Sequence, residues 1–379
     1  MNIETEFINF CRYGHLKKAQ QFLLKYPNIN ILADNEEAFL KACSNGHLLV
    51  IQWLLEVCPA INISADNEKA FRYACSNGHL EVIQWLLEVC PTINISADDE
   101  YAFRYSCYKG RLLVAKWLLQ VCLTINILAD NESAFGYACK NGHLEIAQWL
   151  LTLKPSINIS EKNEFAFRFA CYNGHLEIAQ WLLTLKPSIH ISANNEYAFR
   201  YACLNSHLKV AKWLLEVCPT INISANYDDA FCYSCSLGHL EVAQWLLQIC
   251  QTINISVLDE FAFRRTCYNK HLEVAQWLLQ ICPTINISEK NEEAFRVACS
   301  NGHLEVAQWL LSLKPYLYVI NYNNDGSYKD YYIRTVEEER WCHRKQLVWL
   351  ASNESPDKNN IFYRIPEDVS RYIISNYLL

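Results

Sequence analysis

Pairs of cysteine and histidine recur along this sequence at a spacing that could bind a metal ion. Cys171 and His175 lie four residues apart, and the pair returns every 32 residues, with Arg111 in place of the histidine once. Zinc commonly needs a second such pair nearby, whereas the neighbouring pairs lie in other copies of the pattern. We therefore expect no metal and no cofactor, and a histidine that hydrogen-bonds loop backbone at the start of a helix.

The cysteines are too regular for a disulfide framework. Of the 18 cysteines, ten form one column from Cys11 to Cys299, and six form a second column: Cys58, Cys90, Cys122, Cys218, Cys250 and Cys282. Members of one column are expected to lie roughly 10 Å apart in stacked helices, whereas a disulfide needs Cα atoms within about 7 Å. Nothing at the N-terminus resembles a signal peptide, which favours a reducing compartment. We expect packed, reduced thiols and a cytoplasmic location.

A column of glutamates stands four residues before a column of arginines, in the order that favours ion pairs on a helix. The glutamates are Glu68, Glu100, Glu164, Glu196, Glu260 and Glu292, and the arginines are Arg72, Arg104, Arg168, Arg200, Arg264 and Arg296. We interpret them as a solvated helix face with internal ion pairs; the alternative is a row of ligands for an acidic partner. A catalytic site needs one asymmetric pocket, so we predict no catalytic residue and no enzyme activity.

Two short helices are predicted in each copy. The first covers about Glu164–Tyr172, with Asn163 as its N-cap, because an asparagine side chain can accept a bond from a free N–H of the first turn. The second covers about His175–Leu185 and is apolar nearly all round, so neighbouring elements must cover it. Residues 189–194 then read as an extended arm with turn residues at its tip.

Ten such copies follow one another without a change of register, which is typical of a solenoid. A tryptophan column marks nine of them, including Trp181, and we expect these rings to be buried between layers. The first copy has Gln21 instead, and Lys18 where later copies have an aliphatic residue. A terminal repeat needs a polar outer face, so the first copy is predicted to be an N-terminal cap.

These repeats resemble ankyrin repeats. The usual Gly-His-Leu-Glu-Val-Val is matched by residues 78–83, and the usual Val-Asn of the arm by Ile93-Asn94, whereas Tyr101-Ala102-Phe103-Arg104 replaces Thr-Pro-Leu-His. The resemblance covers residues 1–315 and implies an all-α, ankyrin-type solenoid of about ten 32-residue helix-turn-helix repeats with short hairpin fingers. Residues 316–379 would form a C-terminal capping region. The near-identical units look most like ankyrin proteins encoded by giant DNA viruses of amoebae.

The resemblance implies a non-enzymatic scaffold that binds a protein partner on the concave surface formed by the fingertips and the first helices. Aromatic residues at two variable columns of this face are the candidate partner-binding residues: Tyr101, Tyr108, Phe165, Tyr172, Tyr197, Phe261 and Tyr268. Such rings dominate many interfaces. The alternative is that the same rings only pack between repeats.

Charge and hydropathy limit the choice of partners. The net charge of −7 argues against nucleic acid, because binding to nucleic acid depends on cations that neutralise phosphates. No apolar run approaches the length of a membrane span. We expect a monomer that neither binds nucleic acid nor inserts into a membrane.

The repeat pattern ends at Pro315. Residues 316–333 read as a hairpin around an Asp-Gly turn, and Trp349 suggests a degenerate eleventh repeat. The last helix resembles the first helix of an F-box, which makes Ile365, Pro366, Val369, Ile373 and Leu378 candidate docking residues for a ubiquitin-ligase adaptor. The alternative function is thus a substrate adaptor that recruits a host cullin-type ubiquitin ligase, in the host cytoplasm if the protein is viral. The competing interpretation of the helix is a cap on the solenoid.

Overall fold

The computed structural model describes residues 3–315, 317–323 and 328–333. These residues contain twenty helices, two in each 32-residue repeat, and a final pair of strands. The helices are α1 (Ile3–Arg12), α2 (Leu16–Lys25), α3 (Ala33–Ser44), α4 (Leu48–Val57), α5 (Ala65–Asn77), α6 (Leu80–Val89), α7 (Ala97–Tyr108), α8 (Leu112–Val121), α9 (Ala129–Lys140), α10 (Leu144–Leu153), α11 (Glu161–Tyr172), α12 (Leu176–Leu185), α13 (Ala193–Leu204), α14 (Leu208–Val217), α15 (Ala225–Ser236), α16 (Leu240–Ile249), α17 (Val257–Tyr268), α18 (Leu272–Ile281), α19 (Glu289–Ser300) and α20 (Leu304–Leu313).

Along α1, α3, α5, α7, α9, α11 and α13, and again along α15, α17 and α19, the first helix of each repeat stacks on the first helix of the next repeat. In this way α5 packs on α7 and α7 on α9, while each second helix packs on the first helix of its own repeat. The chain divides after Asn222 into two compact units. The first unit holds α1–α14, and the second holds α15–α20 and the strands. Each unit is an all-α solenoid, as the periodicity predicts.

A column of phenylalanines forms the centre of each layer. Phe167 is 0% exposed and Cys171, one helical turn later, is also 0% exposed. The same two columns are buried in the other repeats, from Phe7 and Cys11 to Phe295 and Cys299. Burial raises the pKa of the Cys11 and Cys299 thiols to about 12. The prediction that the first cysteine column is packed and buried is therefore confirmed.

The prediction that the tryptophan column is buried is wrong, because these rings are only half-buried. The buried face of α12 consists of Ile178, Ala179 and Leu182, and Trp181 lies at its edge. There its ring contacts Phe135 of the preceding repeat, with 6.3 Å between the ring centroids. The tryptophan joins neighbouring repeats but leaves part of its ring at the surface.

The histidine column also joins neighbouring repeats. His79 Nε2 donates to the carbonyl oxygen of Ser44 at 3.0 Å, and His143 Nε2 donates to that of Tyr108 at the same distance. Each acceptor is the last residue of the first helix of the preceding repeat, whereas the sequence predicts a bond to loop backbone. The His79 ring lies against Gly46, whose φ is 77° and whose place no side chain could take without overlapping that ring. Partial burial lowers the pKa of His79, so the neutral imidazole is favoured.

Each first helix after α1 begins with an unexpected turn. Lys162, Asn163 and Glu164 have φ values of 49°, 57° and 63°, so three successive residues are left-handed and the right-handed helix starts only after them. The prediction of Asn163 as an N-cap is wrong, because its amide donates instead to Asn194 Oδ1 of the next repeat, at 2.6 Å. Residues 191–192 form a tight turn rather than part of an extended arm.

Two strands follow the last helix. Strands β1 (Tyr318–Tyr322) and β2 (Tyr328–Ile333) pair antiparallel, with Val319 opposite Tyr332, as the hairpin prediction requires. Tyr318 is almost fully buried and stacks on Phe295 with 3.9 Å between ring centroids, and its hydroxyl donates to Glu292. The predicted eleventh repeat and last helix lie outside the described residues.

No helix in the described ranges is both long and apolar enough to span a membrane. In the first repeat, at the N-terminal end of the first unit, Lys18 and Gln21 are both exposed. Exposure of these two polar side chains is what a terminal repeat requires.

We expect Phe167→Ala to lower the free energy of unfolding by about 3–5 kcal/mol, because it empties a buried site. Trp181→Ala should cost less, about 1–3 kcal/mol, because that ring is half-buried. Leu113, which is 75% exposed, is the control, and Leu113→Ala should be neutral within about 0.5 kcal/mol. Urea denaturation measures all three. A Trp181→Ala cost equal to that of Phe167→Ala would contradict the observed burial.

We expect the two cysteine columns to differ in reactivity in the native protein. A thiol reagent should label half-buried Cys58 and Cys282 at native pH, whereas Cys171 should react only after unfolding, because burial raises its pKa well above the usual range and blocks access. Peptide mapping by mass spectrometry after brief labelling measures this. Native labelling of Cys171 at the rate of Cys58 would contradict it.

Candidate functional site

Five arginines of the column hold the left-handed turns of their repeats; four of them are buried and Arg200 is half-buried, whereas Arg296 is exposed. Arg72 is 8% exposed, and its Nε donates to the carbonyl oxygen of Asn67 at 2.7 Å while a terminal nitrogen donates to that of Asp66 at 3.0 Å. Arg104, Arg168, Arg200 and Arg264 bind the same two carbonyls of their own turns. A planar guanidinium suits this task because its donors lie in a fixed fork.

The glutamate column connects each turn to the next repeat. The backbone N–H of Asn94 donates to Glu68 Oε1 at 3.2 Å, and that of Asn126 donates to Glu100 Oε1 at 3.1 Å. Equivalent bonds are made by Glu36, Glu164, Glu196, Asp228 and Glu260. Each pair of partners lies 26 residues apart, which places every bond between two successive repeats.

The prediction of a solvated face of glutamate–arginine pairs is therefore wrong. Glu68 and Arg72 are each 8% exposed, and both side chains bind backbone rather than each other. Arg72 forms its ion pair with Asp98 of the next repeat, and Arg104 pairs in the same way with Asp130 at 3.0 Å. Because both columns are used inside the fold, neither offers a row of ligands to a partner.

Aromatic rings of the first helices form a continuous chain of contacts in the first unit, which we call the aromatic ribbon. Its members are Tyr73, Tyr101, Tyr105, Tyr108, Tyr137, Phe165, Phe169, Tyr172, Tyr197 and Tyr201. Tyr101 and Tyr105 stack with 3.9 Å between ring centroids, and Tyr197 and Tyr201 with 4.1 Å. Tyr108 meets Tyr137 of the next repeat edge-on at 5.6 Å.

Every ring of the ribbon is half-buried. The rings therefore pack between repeats, which is one of the two interpretations that the sequence allows. They also keep exposed surface that a second molecule could contact. Burial raises the pKa of Tyr101 to about 12, so its hydroxyl is neutral at physiological pH and can donate a hydrogen bond. The ribbon thus combines apolar ring surface with hydroxyl donors.

Cations lie over several of these rings. The Arg72 guanidinium is 4.7 Å from the Tyr101 centroid, the Arg168 guanidinium is 4.8 Å from that of Tyr197, and the Lys140 ammonium is 4.9 Å from that of Phe169. A cation at this distance over a ring face is attracted by the ring's electrons. These contacts fix the rings in place and give the ribbon a partly positive edge.

The groove beside the first half of the ribbon has a volume of about 570 Å³. Five tyrosines of the ribbon line it together with polar residues that we call the polar rim: Ser44, Ser76, Asn77, Lys109 and Lys140. A groove of this size is in the range that holds a ligand or a peptide segment.

The structure brings five of the seven predicted partner-binding residues together: Tyr101, Tyr108, Phe165, Tyr172 and Tyr197. The other two lie in the second unit, where Arg265 is 5.9 Å from the Phe261 centroid and 4.9 Å from that of Tyr268. Tyr268 is 40% exposed. Phe261 also contacts Tyr233 edge-on at 5.7 Å.

Sequence reasoning missed half of the ribbon. A third column with the same 32-residue period lies four residues after the predicted column that contains Tyr101. Its aromatic members are Tyr73, Tyr105, Tyr137, Phe169 and Tyr201. That spacing places the two columns on the same face of the first helix. The signal was therefore present in the repeat itself.

No group of three or more histidine, cysteine, aspartate or glutamate side chains is arranged to hold a metal ion in the part of the chain that the structure describes. The five predicted ligase-docking residues, Ile365, Pro366, Val369, Ile373 and Leu378, lie outside that part.

Family models match most of the repeats. A model of ankyrin repeats in three copies matches residues 7–99 and 167–259, and a model of ankyrin repeats in many copies matches residues 103–151, 137–183 and 263–311. A search of curated proteins found no match. Ankyrin repeats point to a protein–protein interaction scaffold. These matches, together with the helix pairs and the 32-residue period, show that the chain belongs to the family of ankyrin repeat proteins.

Proposed function

We propose that this protein is a non-enzymatic scaffold that binds a protein partner through the aromatic ribbon. The observation that supports this most directly is the row of ten half-buried rings on the first helices, each in contact with its neighbours in the row. Tyrosine and tryptophan are the residues most enriched among those that carry binding energy at interfaces.

The fixed geometry of the ribbon favours binding. Rings such as Tyr101 and Tyr197 are already held by a stacked neighbour and by an arginine of the preceding repeat. A surface whose side chains are ordered in advance loses little conformational entropy when a partner binds. Less of the free energy gained from each ring contact is then lost in ordering the side chain.

The chemistry of the ribbon favours a partner segment with apolar side chains and accessible backbone carbonyls. Apolar groups would pack on the ring faces, and carbonyl oxygens would accept from hydroxyls such as those of Tyr105 and Tyr108 in the groove. The polar rim with Lys109 and Lys140 would suit carboxylates at the edge of the contact. We propose binding by a monomer of this chain.

Recruitment of a ubiquitin ligase stays a second prediction, supported by the likeness of residues 364–378 to an F-box helix. A viral origin and a location in the host cytoplasm also stay predictions from the sequence. The scaffold proposal does not depend on them, because the ribbon lies in the repeats.

We expect ribbon substitutions to weaken binders selected against the whole chain from a displayed peptide library. Tyr105→Ala and Tyr137→Ala should each lower affinity about tenfold or more, the effect of losing a strong interface contact. The matched control is Leu113→Ala, which removes an exposed apolar side chain from a second helix, α8. Isothermal titration calorimetry measures affinity, and circular dichroism checks the fold. Binders that lose affinity with Leu113→Ala but not with the ribbon variants would contradict the proposal.

A further inference from the structure

Two left-handed repeats of the first unit lack the guanidinium that holds the other turns, and one of them has no side chain at all in its place. Gly136 of α9 stands where five other repeats have an arginine bound to the left-handed turn, from Arg72 to Arg264. Leu40 and Cys232 are the other substitutions in the left-handed repeats. The turn before Gly136 keeps its left-handed form, since Asp130, Asn131 and Glu132 have φ values of 51°, 53° and 56°.

A cavity lies beside Gly136, where the Phe165 ring takes part of the space of the missing side chain: a Cβ on Gly136 would lie 3.0 Å from that ring. The cavity has a volume of about 40 Å³ and lies between the turn, Gly136 and the rings of Tyr137 and Phe165. The equivalent space beside Leu40, which the leucine side chain fills, has only about 10 Å³. A cavity of 40 Å³ exceeds the space of one water molecule, for which about 10–15 Å³ is enough. It therefore has room for a planar group of a few atoms.

Two backbone acceptors at or next to this space lack the side-chain donors that they have in other repeats. The carbonyl oxygens of Asp130 and Asn131 correspond to those that bind Arg72 and Arg104, and no side chain of the described residues donates to them. Glu132 lines the cavity and is half-buried. Unlike Glu100 and Glu164, Glu132 accepts no bond from the next repeat within the described ranges, so its carboxylate is available.

The local charge is negative. Asp130, Glu132 and Glu161 are at or beside the cavity, against the two cations Arg104 and Lys162. The Arg104 guanidinium forms an ion pair with the Asp130 carboxylate at 3.0 Å. The Lys162 ammonium is more distant, at 3.9 Å from the same carboxylate. Lys162 is exposed and can turn away into solvent. A further cation would be attracted to Glu132.

Two aromatic rings form one side of the cavity. Phe165 lies 32 residues before Tyr197, the ring that carries the Arg168 guanidinium at 4.8 Å. Phe165 and Tyr137 line the cavity and also belong to the aromatic ribbon. A group in the cavity would thus touch the same rings as a partner on the ribbon.

We infer that the cavity at Gly136 binds the guanidinium of an arginine side chain supplied by a partner. The inference rests on the proposed scaffold function and adds the chemistry of one anchor. The incoming guanidinium would take the place that the chain's own arginine occupies elsewhere, donating to the turn carbonyls and to Glu132 and stacking on Phe165. Arginine suits this site better than lysine, because a planar fork can satisfy several acceptors while it lies on a ring.

The test uses N-acetyl-arginine-N-methylamide as the probe and its citrulline analogue as the matched neutral control. Saturation-transfer NMR with the full chain measures both affinities. We expect the arginine probe to bind at least tenfold more tightly than the citrulline analogue, because only arginine carries the charge. Gly136→Arg and Gly136→Leu should both abolish binding by filling the cavity with a side chain that other repeats hold at this position.

Equal binding of the two probes, absence of binding by the arginine probe, or unchanged binding by both Gly136 variants would overturn the inference. Thermal unfolding checks that each variant is folded, and Gly136→Leu replaces Gly136→Arg if the longer side chain cannot be accommodated. Ribbon-dependent peptide binders together with no arginine binding would remove only this inference. Arginine binding at the cavity together with peptide binders that ignore the ribbon would remove only the scaffold proposal.

Discussion

The bond between a carboxylate and the backbone of the next repeat is the constraint on which the rest of this structure depends. Three successive left-handed residues begin each first helix after α1, and for residues other than glycine this conformation costs about 1–2 kcal/mol each. At the third residue the carboxylate of Glu68, Glu100 or Glu196 accepts a backbone N–H of the following repeat. Part of the stabilisation that offsets the cost of the turn thus comes from the following repeat, in addition to the arginine of the same repeat, so neighbouring repeats stabilise one another.

The same constraint positions the candidate binding surface. Tyr101 directly follows Glu100, and Tyr197 directly follows Glu196, so fixing the turn also fixes where these rings leave the helix. Arg72 and Arg168, which hold their turns, then lie over the rings of Tyr101 and Tyr197 in the next repeat. Polar groups that look available in the sequence are used inside the fold, and the rings beside them are left at the surface.

The sequence predicts the parts of the structure that depend on period and hydropathy. The helix pairs and the burial of Cys171 follow from apolar spacing, and the hairpin strands from the Asp-Gly turn signal between them. The roles of Glu68 and Arg72 did not, because a four-residue spacing is also the pattern of an exposed ion pair. The left-handed turn of Asp66, Asn67 and Glu68 contains no glycine, the residue that would have indicated it in the sequence. Contacts between rings of different columns depend on how neighbouring repeats align, which no single repeat reveals.

The most direct test compares glutamates at the same position of two successive repeats, one with this bond and one without it. Glu100 accepts the backbone N–H of Asn126 at 3.1 Å, whereas Glu132, at the same position of the next repeat, makes no such bond within the described residues. Urea denaturation of Glu100→Ala should show a loss of about 1.5–3 kcal/mol, the usual value for a hydrogen bond to a charged group, and Glu132→Ala a loss below about 1 kcal/mol. Equal losses for the two variants would contradict the account.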